Sequence, residues 1–265
     1  MITNNYLKMI MKKATQFFLI ATGIAILVSG CTDTKSDIDR SEVQFFLTDM
    51  PGEYQQVNID LVSIKVIMND SLLELPTYQG VYNLLEFVNG KDTLVVDDEV
   101  PAGFISQIRL ILGENNTIMR DSVLYDLKTP SAQQSGLKLN VHYEVLPGES
   151  YAYIIDFVVE KSIVETGNGK FILKPVIRVY TESITGSIQG VVSPVEARPY
   201  ILAIGEKDTT TTYADTLSGN FIIRGLYEGA YNLEIQPIDG FSDTTLMDVL
   251  VVNGQTTILD SIMIK

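Results

Sequence analysis

The sequence predicts an all-β chain, with two consecutive β-sandwich domains following an N-terminal leader, and three observations predict it. Apolar and polar residues alternate with a period of two. Leu137, Leu139, Val141, Tyr143 and Val145 interleave with Lys138, Asn140, His142 and Glu144. That period sets one face of a strand against a core and leaves the other wet. Strand-length runs recur at short spacing, separated by turn signals such as Met50-Pro51-Gly52, Asn89-Gly90, Pro147-Gly148 and Gly167-Asn168-Gly169. No stretch sustains a 3.6-residue apolar period, which leaves room only for short helices at Tyr82–Val88 and Glu160–Glu165.

The first element, residues 1–30, reads as a lipoprotein signal peptide. Lys8, Lys12 and Lys13 form a basic leader, Phe17 to Val28 an apolar core, and Leu27-Val28-Ser29-Gly30-Cys31 a lipobox. Either Met1 or Met11 can serve as the start. A membrane span needs ~20 apolar residues, whereas the run Ala14–Ser29 is shorter and interrupted by Thr15, Gln16 and Thr22. Cys31, the only cysteine, is then the lipid-bearing first residue of an exported chain. The expected location is the outer membrane, on its cell-surface or periplasmic face. Residues 31–42, polar and carrying Asp33, Asp37 and Asp39, read as a flexible tether.

Removing the leader takes three of the 19 basic residues and no acid, so 16 basic residues face 33 acidic ones and the net charge is −17. Such a chain repels the phosphates of nucleic acid, which makes it a poor partner for that class. With one cysteine there is no internal disulfide, and the fold rests on its apolar core.

Residues 43–182 form the first expected sandwich, with strands at Val43–Thr48, Val57–Met68, Phe104–Leu112, Tyr151–Val159 and Lys170–Tyr180. Within Val57–Met68 the apolar phase slips by one residue at Leu61-Val62, which calls for a β-bulge or a bend between sheets. A boundary falls at Glu182–Gly186. Residues 186–265 then give six or seven short strands, including Tyr200–Ile204, Asn220–Ile223, Tyr231–Gln236, Leu246–Val252 and Thr256–Ile264. The run Thr209–Thr212 reads as a loop or edge.

Two resemblances accompany this reading. Phe46-Leu47-Thr48-Asp49-Met50-Pro51, Val100 to Arg109, Thr129 to Lys138, and Asp156-Phe157 through Ser162-Ile163-Val164 to Leu173-Lys174-Pro175-Val176 resemble a Bacteroidetes-type lipoprotein domain of unknown function. That resemblance implies an envelope lipoprotein with a sandwich-like fold and no activity to carry over. The second unit, through Gly186-x-Ile-x-Gly190, Gly219-x-Phe221-x-Ile223-x-Gly225-Leu226, Gly229-x-Tyr231-x-Leu233 and Gly254-Gln255-Thr256-Thr257, resembles the carboxypeptidase regulatory-like module. This implies a prealbumin-like or immunoglobulin-like sandwich without catalysis of its own. A related module closes a Lys–Asn crosslink with a buried glutamate after Tyr-x-Leu-x. Here Glu234 sits one position early, on the opposite face.

Candidate chemistry is sparse. His142, the single histidine, lies on the wet face of its strand, where a triad would need Ser131 or Ser135 beside it. One histidine and one lipid-bearing cysteine cannot furnish the usual zinc ligands. Asp97-Asp98-Glu99 is read as a solvated loop rather than a calcium site. Asp156 shares a strand face with Ile154 and Val158, so it is expected to be partly buried and therefore paired, with Lys161, Lys174 or Arg109 or by hydrogen bonds to a loop. The alternative is a binding-site carboxylate. The loop Thr129–Ser135, through Gln133, Gln134 and Ser135 with Tyr125 and Tyr143 nearby, has the donors and rings that sugar recognition uses. The expected protein is therefore a non-enzyme: no catalytic residue, metal or cofactor, a lipid partner through Cys31, and a glycan or envelope protein as ligand. The alternatives are a surface-fibre subunit or anchor and a hydrolase built on buried carboxylates.

Overall fold

The computed structural model describes residues 39–50, 54–129 and 135–265, and Cys31, Ser131, Gln133 and Gln134 lie outside them. In chain order the first lobe holds β1 (Arg40–Met50), β2 (Gln56–Met68), β3 (Ser71–Leu75), β4 (Gly80–Asn83), β5 (Thr93–Pro101), β6 (Gly103–Leu112), β7 (Thr117–Arg120), β8 (Val123–Lys128), β9 (Leu137–Val145), β10 (Ser150–Val158), β11 (Ile163–Glu165), β12 (Phe171–Leu173) and β13 (Ile177–Thr181). The second lobe holds β14 (Gly186–Ser193), β15 (Tyr200–Ile204), β16 (Thr209–Tyr213), β17 (Asn220–Leu226), β18 (Gly229–Gln236), β19 (Thr244–Val251), β20 (Thr256–Ile258) and β21 (Ile262–Met263). The chain is all-β. No helix among the described residues is long and apolar enough to cross a membrane.

Each lobe stacks two sheets. In the first, a four-stranded sheet ordered β13-β10-β1-β5 covers a nine-stranded one ordered β11-β12-β8-β7-β2-β6-β9, with β3 and β4 also paired to β2. Phe45, Leu47, Tyr153, Ile155 and Phe157 from one sheet meet Ile59, Leu61, Ile64, Val66, Ile105, Ile108 and Leu110 from the other. In the second lobe, β17-β14-β20 with β21 faces β16-β15-β18-β19. Its separate core is built on Ile188, Ile201, Phe221, Ile223, Tyr231 and Leu233.

The phase slip in β2 is a bulge. Leu61 pairs with Leu112 but Ser63 already pairs with Ile111, so Val62 is squeezed out of the ladder toward solvent. The extra residue lets Leu61 and Ile64 both reach the core although they are an odd number of positions apart. Ser63 is buried, its hydroxyl donating to Glu74 Oε1 at 2.7 Å.

Other expectations are corrected. Lys170–Tyr180 is not one strand but two, β12 and β13, which belong to different sheets. Pro175, between them, has no N–H to give a ladder. Its neighbours bond elsewhere: Lys174 N donates to Ser162 O at 2.7 Å and Val176 N to the buried Ser162 hydroxyl at 2.9 Å. Asp97–Glu99 lies in β5 rather than a loop, with Arg40 bridging to Glu99 and Gln44 donating to Asp97. The first strand begins at Arg40, inside the expected tether. The helices shrink to a 3₁₀ turn at Leu84–Glu86 and one α-turn at Val159–Ser162.

Aromatic rings fill the open end of the first core. Tyr153 stacks on Phe45 with centroids 5.1 Å apart, and Tyr143 packs beside it while donating to Val179 O at 2.8 Å. Burial pushes the Tyr143 hydroxyl up to about 12 and raises Tyr153, Tyr180 and Tyr231 further. A phenol whose pKa rises on folding supports the native state up to the unfolded value near 10, and that support disappears as pH climbs through the raised value. Between about pH 10 and 12, therefore, the fold loses stability. In a spectrophotometric titration, the hydroxyls of these four tyrosines should ionise only as β circular dichroism collapses. Full ionisation near pH 10 with the fold intact would contradict this.

Candidate functional site

Asp156, the Thr48-Asp49 motif and the threonine run meet at the seam between the lobes. Residues 38–265 form one compact unit, and β10 is covered on both faces. Its inward residues join the first core, whereas Ile154 and Val158, equally buried, belong to neither core. Asp156 stands between them on that outer face, 3 % exposed, with Thr48 of β1 as register partner on one side and Arg178 of β13 on the other.

Arg178 is the cation that neutralises Asp156, and Lys161, Lys174 and Arg109 are not. Its Nε lies 3.1 Å from Asp156 Oδ2, and its Nη2 donates to the same oxygen. The remaining Nη1 reaches across the seam to the Thr210 hydroxyl, and the guanidinium lies 5.7 Å over the Tyr180 ring. Burial raises the Asp156 carboxyl above its ordinary range, and the guanidinium's charge offsets part of that rise. The pair spans neighbouring strands and then clamps a third element.

That third element is the threonine run. Thr209–Thr212 opens β16, the edge strand of its sheet, and Thr210, Thr211 and Thr212 are all buried. β-Branched threonine suits a strand, and a hydroxyl meets a guanidinium where an apolar side chain would leave an N–H unpaired.

The motif around Thr48-Asp49 builds the other wall. Thr48 Oγ1 lies 2.8 Å from the carbonyls of both Phe87 and Lys91, and Asp49 N donates to Phe87 O at 3.0 Å. Asp49 Oδ1 accepts from Val159 N, fixing the start of the α-turn. These bonds hold the Asn89-Gly90 turn, both residues at positive φ, against the edge of β17. There Asn89 donates to Asn220 O at 3.1 Å and accepts from Ile222 N at 2.9 Å, so its side-chain amide caps the edge as a strand residue would. A side chain at Gly90 would meet Ile222 Cγ2 at 2.6 Å. Arg224 completes the seam with Asp92 at 2.8 Å and Glu182 at 3.8 Å. The cavity left among these groups is about 30 Å³, room for about one water.

Among the described residues, the remaining candidates do not gather. His142 is exposed and sits edge-on to Phe104 at 5.1 Å. Ser135 is exposed just before β9. Tyr125 packs on Phe171, and Tyr143 turns inward. Glu234 faces away from the Tyr231–Leu233 core side, near Gln236. Arg178 and Arg224 went unmarked in the sequence and Asn89 was marked only as part of a turn, although Arg178 lies on an alternating stretch directly before the boundary.

The fold and seam define an all-β protein of two sandwich lobes whose buried charges join one lobe to the other. Residues 40–175, about half of the chain, match the model of a family described as "Domain of unknown function (DUF4382)", and the chain belongs to that family. No curated protein matches. Among solved structures, the chain is similar to the Bacillus anthracis TIE protein at 10 % identity and TM-score 0.24, covering 85 % of this chain and 34 % of that one, so it spans about a third of that relative's length. It is also similar to GBS52, the minor pilin of Streptococcus agalactiae, at 10 % identity, 84 % and 95 % coverage and TM-score 0.25. BcpA, the major pilin subunit of Bacillus cereus, gives 11 %, 85 % and 70 %, and 0.22.

Proposed function

We propose that this DUF4382 chain is a non-catalytic envelope lipoprotein, held in the outer membrane through Cys31, that acts as a binding module for a glycan or an envelope protein. The carrying observation is how the buried carboxylates are used. Asp156 is spent on Arg178 and Asp49 on the α-turn, and both line a cavity of one-water size that admits no substrate. This weighs against a hydrolase built on them, which would need the two groups flanking a bond in an open cleft. The lipobox Leu27–Cys31 supports the anchor.

The test is Cys31→Ser in the full chain, expressed in its own cells. Palmitate labelling should vanish and the protein should move from the membrane pellet to the soluble fraction. Unchanged pelleting would overturn the lipid anchor. Protease shaving of intact cells expressing the native chain then separates the two faces. Digestion before lysis supports capture of ligands from outside, and protection until lysis directs the search to periplasmic partners.

A further inference from the structure

Resting on the binding-module reading above, we propose that the outer face of β6 and β9 is the binding site, and that its ligand is a linear acidic polysaccharide held through carboxylate or sulfate groups. The site lies apart from the seam. Arg109 and Lys138 stand directly opposite each other in the β6–β9 ladder, on the wet face, and among the described residues neither forms an ion pair. Like charges placed opposite on a sheet repel, and a chain with 33 acidic residues has ample carboxylates to relieve them. Here none is used. Lys65, next in the row on β2, is by contrast neutralised by Glu74 at 2.9 Å.

Hydrogen bonding gives the row a direction. Arg109 Nε donates to Gln107 Oε1 at 2.6 Å, and Gln107 Nε2 donates to Asn140 Oδ1 at 2.8 Å. Both amide oxygens are consumed inside this relay, which turns the Asn140 amino group outward. The outward polar ends of Arg109, Lys138 and Asn140 are therefore all N–H donors. A donor-only surface with two cations matches an anion's oxygens.

The shape beside it suits a chain of sugars. β9 ends its sheet, and along its free edge runs a groove of about 800 Å³ whose lining includes Lys138, Asn140, His142 and Tyr227. No acidic residue lines it. Glu144 stands beyond His142, at the margin of the row. The half-exposed Tyr227 ring offers a face on which a sugar ring can pack, and sugar hydroxyls accept from donors. A peptide would bring N–H groups that this donor row cannot satisfy.

Affinity electrophoresis of the full-length chain in detergent micelles tests the assignment, with polygalacturonate, dextran sulfate, neutral dextran, mannan or poly-L-glutamate in the gel. The chain's net charge of −14 repels polyanions, so retention by one reports a local site. Polygalacturonate or dextran sulfate should retard the protein, less so at high salt. Arg109→Gln with Lys138→Gln should weaken retention at least about tenfold, since each removes a charge-assisted bond. Asn140→Asp, which replaces an outward donor with an anion, should do likewise. Lys170→Gln, on an exposed residue outside the row, should change nothing. Equal or stronger retention by poly-L-glutamate overturns the glycan class. Retention by neutral polymers alone, unaffected by the variants, overturns this site while the binding-module reading stands. No retention in any gel overturns the site and removes this support for the module reading.

Discussion

Arg178→Met is expected to destabilise the fold by about 3 kcal/mol near neutral pH, the low end of what removing one member of a buried ion pair costs. Asp156, 3 % exposed, would lose the cation that pairs with it. It already sits above the ordinary carboxyl range because burial outweighs the guanidinium beside it, and removing that guanidinium raises it again. The sign follows. A carboxyl raised on folding binds its proton more tightly in the native state, so its contribution is intact below the unfolded value near 4 and is lost as pH rises through the raised one. The melting gap between Arg178→Met and the native protein should therefore be widest near neutrality and narrow below about pH 4. Adding Asp156→Asn to Arg178→Met should restore most of the loss, because the orphaned charge goes with it. What remains missing is the bond to Thr210 and the contact over Tyr180. Additive single and double variants, measured by denaturant melts at both pH values, would refute the pairing as a structural device.

Gly225→Val should be at least as damaging, and it tests the seam from the other lobe. Gly225 lies in β17 at φ +68°, a conformation that a β-branched residue adopts at a cost of about 1–3 kcal/mol. A side chain there would stand 2.6–2.8 Å from Tyr180 ring atoms, and overpacking adds about 1–3 kcal/mol. The combined effect should loosen the lobes at Tyr180. The Tyr180 hydroxyl should then ionise at a lower pH than in the native protein, and the connector Glu182–Gly186 should become sensitive to limited proteolysis. Gly225→Ala should fall between the two. A Gly225→Val protein that melts and resists protease like the native chain would show that the lobes do not bear on each other there.

How much of this was legible beforehand depends on the range over which each feature is encoded. The alternation of Leu137–Val145 is visible in nine residues, and the strand appears with the expected pattern, His142 outward and Leu139, Val141 and Tyr143 packed against the core. The slip at Leu61-Val62 is as local, and so is the bulge that resolves it. Asp156 could be read as buried and paired because its strand neighbours Ile154 and Val158 are apolar. Its partner could not, because lysines near in sequence compete on paper with an arginine 22 residues away.

By itself the sequence determined the all-β class, the alternating faces of Leu137–Val145 and the expectations of a break near residues 182–186 and a lipid-bearing Cys31, since each rests on neighbouring residues and a period of two. Only the tertiary structure decided that Lys170–Tyr180 splits between two sheets, that Arg178 rather than Lys161, Lys174 or Arg109 answers Asp156, and that the threonine run is buried in a seam. It alone also set Arg109 opposite Lys138. The physical reason is register: a strand's own sequence dictates which side chains point inward, but which residue stands opposite is settled by pairing between segments far apart in the chain, through packing of the whole.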